Sequence, residues 1–241
     1  MILTDVQILK SIDRGDIVIT PFDRAGLGTN SYDVHLSAHM AVYVDEALDA
    51  RLHNKIRHFD IGPEGFVIQP GELYLGVTEE YTETHAAVPF LEGKSSVGRL
   101  GIDIHATAGR GDVGYCNTWT LEISCVKPVR IYAGMPIGQL IYFAVEGPIE
   151  NMYNRKPGAK YNQRTDLPLE SMMWKNKQTH THNTHTSYVL TFLRSYALTL
   201  SLSHTGNASR HPLAPPMRFV VLTMLNCVAN NFCANILRLP D

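Results

Sequence analysis

Charged and small polar side chains are concentrated in the stretch "FLEGKSSVGRLGIDIHATAGRGDVGY" (90–115) and in "TWTLEIS" (118–124) just after it. Lysine, arginine and hydroxyl groups suit the oxygens of a phosphate group, because those oxygens accept charge-assisted hydrogen bonds. A carboxylate on a nearby strand could hold a proton or a water molecule. The side chains of this kind are Lys94, Ser95, Ser96, Arg99, Arg110, Asp112 and Glu122. They predict a site for a phosphorylated ligand and are compatible with acid–base catalysis.

Three well-known catalytic motifs do not fit the sequence. Gly93-Lys94-Ser95 matches the end of a P-loop, but that motif requires glycine five positions before Gly93, where Val88 stands. A zinc nucleobase deaminase would show H-x-E and P-C-x-x-C, and neither occurs. The nucleophile motif G-x-S-x-G is also missing. The sequence therefore argues against a P-loop nucleotidase, a zinc deaminase and a serine hydrolase of the α/β type.

Composition restricts the partners and the compartment. The formal net charge of the 241 residues is −2 and the pI is near 6.6, which argues against a nucleic-acid-binding protein. The start "MILTDVQILK" lacks the features of a secretory signal, and the four cysteines contain no C-x-x-C pair. Four asparagines interrupt the uncharged stretch 219–237, which weakens it as a membrane span. We expect a cytoplasmic protein that binds neither nucleic acid nor membrane.

The composition changes sharply near residue 178. Residues 178–241 contain no lysine, no glutamate and a single aspartate, Asp241. They open on the low-complexity run "THTHNTHT", in which His180, His182 and His185 alternate with threonine. These histidines could bind a metal ion, but such a run is more typical of a repeat without that role. We predict one domain over 1–177 and an atypical tail over 178–241 that is not part of its fold.

The first 177 residues show one helical signal followed by many short β-type runs. Thr4 and Gln7 form a capping box and Gly15 can end a helix, which predicts a helix over about 5–14. In "TWTLEIS" (118–124), apolar and polar residues alternate, as they do on the two faces of a strand. The usual reading of the polar faces is contact with water. The β-type runs are "DIVIT", "SYDVHL", "GFVIQP", "ELYLGVT", "GIDIHAT", "TWTLEIS", "VRIYA" and "PIGQLIYFAV". Their spacing predicts a mainly β sandwich or closed barrel.

Several segments in a fixed order resemble one protein family. They are "LGTNSYDVHL" (27–36), "EGKSSVGRLGI" (92–102), "ATAGRGDVGY" (106–115), "TWTLEI" (118–123), "MPIGQLIYF" (135–143) and "YNRKPGAKY" (153–161). Together they resemble the dCTP deaminases, relatives of the trimeric dUTPases, over about residues 1–177. The resemblance implies a distorted, jelly-roll-like β-barrel of the dUTPase type and a homotrimer with active sites at subunit interfaces. It also implies hydrolysis of dCTP to dUTP and ammonia, without zinc, with Mg²⁺ accompanying the triphosphate and dTTP as a feedback inhibitor.

The resemblance assigns roles to individual residues. Glu122 would activate a water molecule for attack on the cytosine ring, with Ser95, Arg110 and the carbonyl of Ala108 helping to hold that water. Asp112 would accept a hydrogen bond from the deoxyribose. The remaining nucleotide-binding residues are Lys94, Ser96, Val97, Gly98 and Arg99 for the phosphates, Thr120 and Leu121 for the base, and Gln139, Tyr153, Lys160 and Arg164. Gln163 is an alternative to Arg164, and the segment that contains them would close over the phosphates. We also expect Glu122 to be withdrawn from water, because a general base needs a tuned environment.

Alternatives to a dUTP-forming deaminase stay open at this point. A bifunctional relative would deaminate dCTP and also cleave the product to dUMP and pyrophosphate. A plain dUTPase would only carry out the second reaction. A relative that has lost turnover would bind nucleotide as a regulatory protein. The identity of the product distinguishes the enzymes from one another and from the binding protein.

Overall fold

The computed structural model describes residues 1–176. It begins with helix α1 (Asp5–Asp13), as predicted. The side chain of Thr4 caps the helix by accepting a hydrogen bond from the backbone N–H of Gln7 at 3.4 Å. The chain then leaves the helix at Gly15, whose φ of 75° is in the left-handed region that favours glycine. The predicted tail over 178–241 lies outside the described residues.

Short strands make up most of the described chain. The further helical elements are single turns at Arg24–Gly26, Ser95–Gly98 (α2), Tyr153–Arg155 and Met173–Lys175. Among residues 1–176, no helix is long and apolar enough to cross a membrane. The strands are β1 (Ile17–Thr20), β2 (Tyr32–Tyr43), β3 (Ile56–Asp60), β4 (Phe66–Ile68), β5 (Tyr74–Thr78), β6 (Tyr81–Thr84), β7 (Ala87–Gly93), β8 (Ile102–Asp103), β9 (Cys116–Asn117), β10 (Thr120–Cys125), β11 (Val129–Ile131) and β12 (Pro136–Ala144).

The strands form three antiparallel sheets. The largest has the order β7-β12-β2-β5-β10-β8, with β3 also paired to β2. A second sheet has the order β1-β6-β9, and β11 pairs with β4 in the third. Strand β2 pairs with β12 through its first residues and with β5 from Leu36 onwards, with a register shift between Leu36 and Met40. Such a shift bends a strand, which lets β2 continue around a barrel-like sheet.

The core lies inside this barrel-like arrangement and is closed by helix α1, whose Ile8 is fully buried. Residues from nearly every strand contribute to one apolar cluster. The largest fully buried side chains are Tyr32, Tyr142, Ile8, Ile17, Leu36, Met40, Ile68, Leu91, Leu121, Ile123, Ile131 and Ile137. The mainly β, barrel-like fold class predicted from the sequence is therefore confirmed.

Candidate active site

Strand β10 positions Glu122 by simple alternation. Leu121 and Ile123 are fully buried, so Thr120 and Glu122 project from the opposite face of the strand. Strand β10 pairs with β5 on one side and with β8 on the other, and the backbone N–H of Glu122 donates to the carbonyl of Ile104 at 2.9 Å. The carboxylate is thus attached to a strand held from both sides.

His105 holds the Glu122 carboxylate. Its Nδ1 lies 3.1 Å from Oε2 of Glu122, and its side chain is 11% exposed. Within residues 1–176, Nε2 of His105 is buried and has no hydrogen-bond partner. With the proton on Nε2, the ring would bury an N–H group that has no hydrogen-bond partner, which costs free energy. With the proton on Nδ1, the ring donates it to the carboxylate, so we assign the proton to Nδ1. The Glu122 side chain is still 35% exposed, so a single chain does not withdraw it from water as expected.

The loop 108–112 lies directly against strand β7. The backbone N–H of Leu91 donates to the carbonyl of Gly109 at 2.7 Å, and the backbone N–H of Gly111 donates to the carbonyl of Pro89 at 2.9 Å. A Cβ atom at Gly109 would lie 2.5 Å from the carbonyl oxygen of Leu91. A Cβ atom at Gly111 would lie 2.5 Å from Cη2 of Trp119. Glycine at positions 109 and 111 therefore lets the loop 108–112 lie close to strand β7. This close contact orients Arg110, between the glycines, and Ala108 and Asp112, beside them.

Replacing Gly111 with alanine is expected to destabilise the protein by about 1–3 kcal/mol and to displace Arg110 and Asp112. The added methyl group has little room, because Trp119 is buried and its Nε1–H is bound to Oγ1 of Thr82 at 2.9 Å. Urea denaturation would measure the change in the free energy of unfolding. Gly62→Ala is the matched control, since a Cβ atom there meets nothing within 4 Å. Equal stability of the two variants would contradict the steric argument.

The main cavity has a volume of about 570 Å³ and lies beside β10 and the loop 108–112. Its walls combine the predicted catalytic, sugar-binding and base-binding groups with aromatic side chains from the loop before β10 and from the C-terminal segment. Of the residues predicted from the sequence, those that line it are Ala108, Arg110, Asp112, Thr120, Glu122 and Tyr153. One cavity therefore brings together a carboxylate held by histidine, a second carboxylate and an arginine.

The C-terminal segment, residues 151–171, closes one side of the main cavity. Its main anchor is Asn117, which is 1% exposed. The Nδ2 group of Asn117 donates to the carbonyls of Tyr161 and Gln163 at 3.3 and 2.9 Å. Its Oδ1 accepts from the backbone N–H of Thr165 at 3.1 Å, and Thr118 Oγ1 donates to the carbonyl of Thr165 at 2.8 Å. The predicted closing segment thus lies over the Glu122 side of the site.

The phosphate-binding block predicted at 94–99 lies at a second cavity of about 490 Å³. Lys94, Ser95 and Gly98 line it, together with His105. The Lys94 ammonium forms an ion pair with Asp33. Ser95 does not line the main cavity of this chain, whereas Glu122 does. The two residues were predicted to serve one catalytic centre.

Other predicted residues line neither of these two cavities. The side chains of Val97 and Leu121 are buried in the core, so only their backbone groups could meet a ligand. Arg164 stacks on the ring of Tyr81, with its guanidinium carbon 4.1 Å from the ring centre, and Gln163 is bound through its carbonyl. The remaining members of this group are Ser96, Arg99, Gln139 and Lys160. Arg99 donates to Ser95 Oγ, and Gln139 Oε1 accepts from Ser31 Oγ at 3.4 Å.

Three residues of the site were not predicted. His105 alternates with apolar residues in "GIDIHAT" (101–107), so the sequence indicated a polar strand face there but not its contact with Glu122. Asn117 and Asp33 carried no such signal. Asn117 acts on residues 44 to 48 positions away, and Asp33 meets a lysine 61 positions away.

Comparison with known proteins agrees with the resemblance noted in the sequence. The family described as dCTP deaminase-like matches residues 2–145. A protein from Clostridium acetobutylicum named "dCTP deaminase, dUMP-forming" is 49% identical over 176 residues, which are 73% of this chain and 98% of that protein. A protein of the same name from Cytophaga hutchinsonii is 47% identical over 156 residues, which are 65% of this chain and 90% of that protein.

A solved structure is also similar. It is the crystal structure of 2'-deoxycytidine 5'-triphosphate deaminase from Agrobacterium tumefaciens, with a TM-score of 0.46 and 21% sequence identity over 58% of this chain and 47% of that chain. The assignment rests on the sequence matches, which cover more than half of this chain and nearly all of the two relatives. The chain belongs to the dCTP deaminase-like family.

Proposed function

We propose that this chain converts dCTP to dUMP in two hydrolytic steps. In the first, water replaces the 4-amino group of the cytosine to give dUTP and ammonia. In the second, water cleaves dUTP between the α- and β-phosphates to give dUMP and pyrophosphate. The names of the two relatives favour this bifunctional alternative over a deaminase that stops at dUTP. The observation that carries the proposal is the main cavity, in which the His105-held Glu122 carboxylate lies with Asp112 and Arg110.

Glu122 acts as the general base in the deamination. It takes a proton from a water molecule that attacks C4 of the cytosine, and it returns protons to the ring nitrogen and to the departing amino group. The hydrogen bond from His105 Nδ1 fixes one carboxylate oxygen and leaves the other free to meet the water. The Ala108 carbonyl accepts a hydrogen bond from this water, and the Arg110 guanidinium in the same cavity wall stabilises negative charge on it. This assignment needs no zinc ion.

The deoxyribose and the base bind on either side of this catalytic centre. Asp112 is exposed at the cavity wall and accepts a hydrogen bond from the 3′-hydroxyl. Thr120 lines the cavity two residues before Glu122 on β10, where it borders the base together with the backbone of Leu121. Tyr153 and Tyr161 give the cavity apolar walls near the C-terminal segment. A flat pyrimidine ring suits such walls.

The triphosphate requires groups that a single chain does not bring to the main cavity. Lys94, Ser95 and Gly98 line the second cavity instead. We therefore propose a homotrimer in which residues 94–99 of one subunit complete the main cavity of its neighbour. Burial by the neighbour would also withdraw Glu122 from water. Mg²⁺ enters as part of the substrate, bound to the triphosphate, because this cation prefers phosphate oxygens to an all-protein site.

The C-terminal segment serves as the cover of the site in this proposal. It is fixed through Asn117 and Thr118, and release of these contacts opens the main cavity for exchange of substrate and product. Lys160 and either Arg164 or Gln163, in the same segment, meet the phosphates of the completed trimer. Feedback inhibition by dTTP is part of the proposal as well, since dTTP offers the same deoxyribose and triphosphate. The reaction is assigned to the cytoplasm, as the sequence leads us to expect.

Product analysis tests the proposed function. The purified full-length chain is incubated with dCTP and Mg²⁺ in the presence of a zinc-selective chelator, and nucleotides are separated by chromatography over time. We expect dUMP, pyrophosphate and ammonia in equal amounts, without lasting accumulation of dUTP. Added dUTP should be cleaved at the same site. The Glu122→Gln variant, purified in parallel, shows whether any activity comes from contaminating host enzymes.

Any other result of the product analysis would change the proposed function. Accumulation of dUTP would reject the second step and leave a dUTP-forming deaminase. Cleavage of dUTP with untouched dCTP would leave a plain dUTPase. Binding of dCTP without either product would leave a regulatory nucleotide-binding protein.

A further inference from the structure

The outer face of the β1-β6-β9 sheet carries a group of metal-binding side chains outside both cavities. Glu83 on β6 and Cys116 on β9 are direct cross-strand partners, and directly opposite side chains are close neighbours. His85 lies in the bend that follows β6, and its Nε2 lies 2.8 Å from Oε2 of Glu83. One oxygen of Glu83, one ring nitrogen of His85 and the sulfur of Cys116 all lie within 4.8 Å of one another. All three side chains are partly exposed.

We propose that Glu83, His85 and Cys116 form a binding site for a zinc ion. Zinc accepts this mixture of thiolate sulfur, imidazole nitrogen and carboxylate oxygen, with bonds of about 2.0–2.3 Å. In tetrahedral geometry, ligand atoms at those lengths lie about 3.6 Å apart. His85 Nε2 and Glu83 Oε2 are already 2.8 Å apart, so their hydrogen bond must open. A pair of ligand atoms at the 4.8 Å limit must instead approach by roughly 1 Å. A fourth position stays open for water.

The donor set argues against Mg²⁺ and Ca²⁺. Mg²⁺ and Ca²⁺ select oxygen ligands, whereas a thiolate beside an imidazole selects zinc or a similar borderline-soft ion. The site is therefore distinct in chemistry from the Mg²⁺ that accompanies the proposed substrate. It is distinct in place as well, since none of its three residues lines the main cavity. Asn117, the next residue after Cys116, does line that cavity, and neighbouring strand residues project to opposite faces.

Hydrogen bonds from neighbouring side chains hold the Glu83 carboxylate in place. Glu83 Oε2 lies 2.8 Å from Nε2 of His85, and Tyr81 donates its hydroxyl to Glu83 Oε1 at 2.9 Å. Together these two hydrogen bonds orient both oxygens of the Glu83 carboxylate. The Arg164 guanidinium over the Tyr81 ring is a positive charge near Glu83, so a bound cation would be partly opposed by it.

Binding changes the protonation of one ligand. Zinc binds a cysteine as its thiolate, so metal binding is coupled to loss of the Cys116 thiol proton. On binding, the sulfur forms a bond to zinc and its proton passes to solvent, while His85 exchanges its hydrogen bond with Glu83 for a bond to the metal. One proton is released for each ion bound. The occupied site would tie β6 to β9 directly behind Asn117, the residue that anchors the C-terminal segment.

Metal titration of the reduced full-length chain tests this site. Zn²⁺ binding is followed by calorimetry, and Co²⁺ serves as a coloured probe because a cobalt–thiolate bond gives a near-ultraviolet charge-transfer band. We expect Cys116→Ser and His85→Gln each to weaken binding at this site by at least about tenfold and Cys116→Ser to remove one thiolate band. Cys125→Ala is the matched control, since Cys125 is a buried cysteine outside the metal-binding group. Residues 178–241 are present in every variant, so any metal bound by their histidines and cysteines contributes equally to all measurements.

The outcomes are decisive in both directions. Loss of one equivalent of bound metal in Cys116→Ser and in His85→Gln, with retention in Cys125→Ala, supports the site. Unchanged stoichiometry, affinity and absorption in either ligand variant would overturn it. Circular dichroism of each variant verifies that it is folded, and Glu83→Gln provides a third ligand variant should one of the others fail. Because the readout is metal binding, a failure of the site and a failure of the proposed dCTP reaction remain separate results.

Discussion

Replacing Glu122 with glutamine is expected to lower the rate of dCTP deamination by about 10²–10⁴-fold while leaving nucleotide binding nearly unchanged. Glutamine has almost the same shape as glutamate and can still accept a hydrogen bond from His105 Nδ1. It cannot take a proton from water, so the loss falls on the chemical step. Single-turnover measurements of dUTP and dUMP formation would give the rate, and calorimetry with dCTP and Mg²⁺ would give the dissociation constant.

The control for this change is Glu72→Gln, which neutralises an exposed glutamate outside both cavities. It should retain full activity and the same dissociation constant. Deamination by Glu122→Gln within a few-fold of the unmodified protein would remove Glu122 from the role of general base. A large loss of binding with an intact chemical step would instead make Glu122 a substrate-binding group.

Replacing Asn117 with alanine is expected to destabilise the protein by about 2–3 kcal/mol and to release the C-terminal segment from the cavity. The amide makes four hydrogen bonds, to Tyr161, Gln163, Thr165 and Thr118. Each such bond contributes about 0.5–1.5 kcal/mol, and the buried groups left behind lose their partners. Because the segment lines the main cavity, we expect turnover of dCTP to fall roughly ten- to a hundredfold.

Hydrogen exchange distinguishes release of the segment from a general loss of stability. The backbone amide of Thr165 should exchange much faster in Asn117→Ala. The matched control is Asn54→Ala, which also removes a buried amide, bound to Asp49 and Leu52 in a local loop. It should cost comparable stability without exposing Thr165 or lowering turnover beyond the unfolded fraction. Slow exchange at Thr165 in Asn117→Ala would show that the segment has another anchor.

Strand prediction succeeded where hydrophobic alternation was plain and failed where buried polar groups or proline replaced it. The predicted runs each contain a strand, although "GIDIHAT" yields only the two residues of β8. Strand β7 was missed because it contains Pro89, which normally marks an edge or the end of a strand. Strand β6 was missed because its inward residues are Thr82 and Thr84. They can be buried because their hydroxyls are hydrogen-bonded to backbone carbonyls.

The sequence alone determined the helix at the N-terminus, the mainly β class, the face of β10 that carries Glu122 and the family resemblance. These features depend on local periodicity, capping residues and the order of short motifs, all of which can be read from neighbouring residues in the sequence. It also supplied the residue types needed to bind a phosphorylated ligand. It left open how those residues share one site.

Only the tertiary structure decided which predicted residues meet. It separated Lys94 and Ser95 from the cavity that holds Glu122, Arg110 and Asp112, and it brought in His105 and Asn117 as partners. The physical reason is that these contacts join strands and segments far apart in the chain, through sheet register and single hydrogen bonds. No local pattern encodes such pairings, because they depend on how the whole sheet closes.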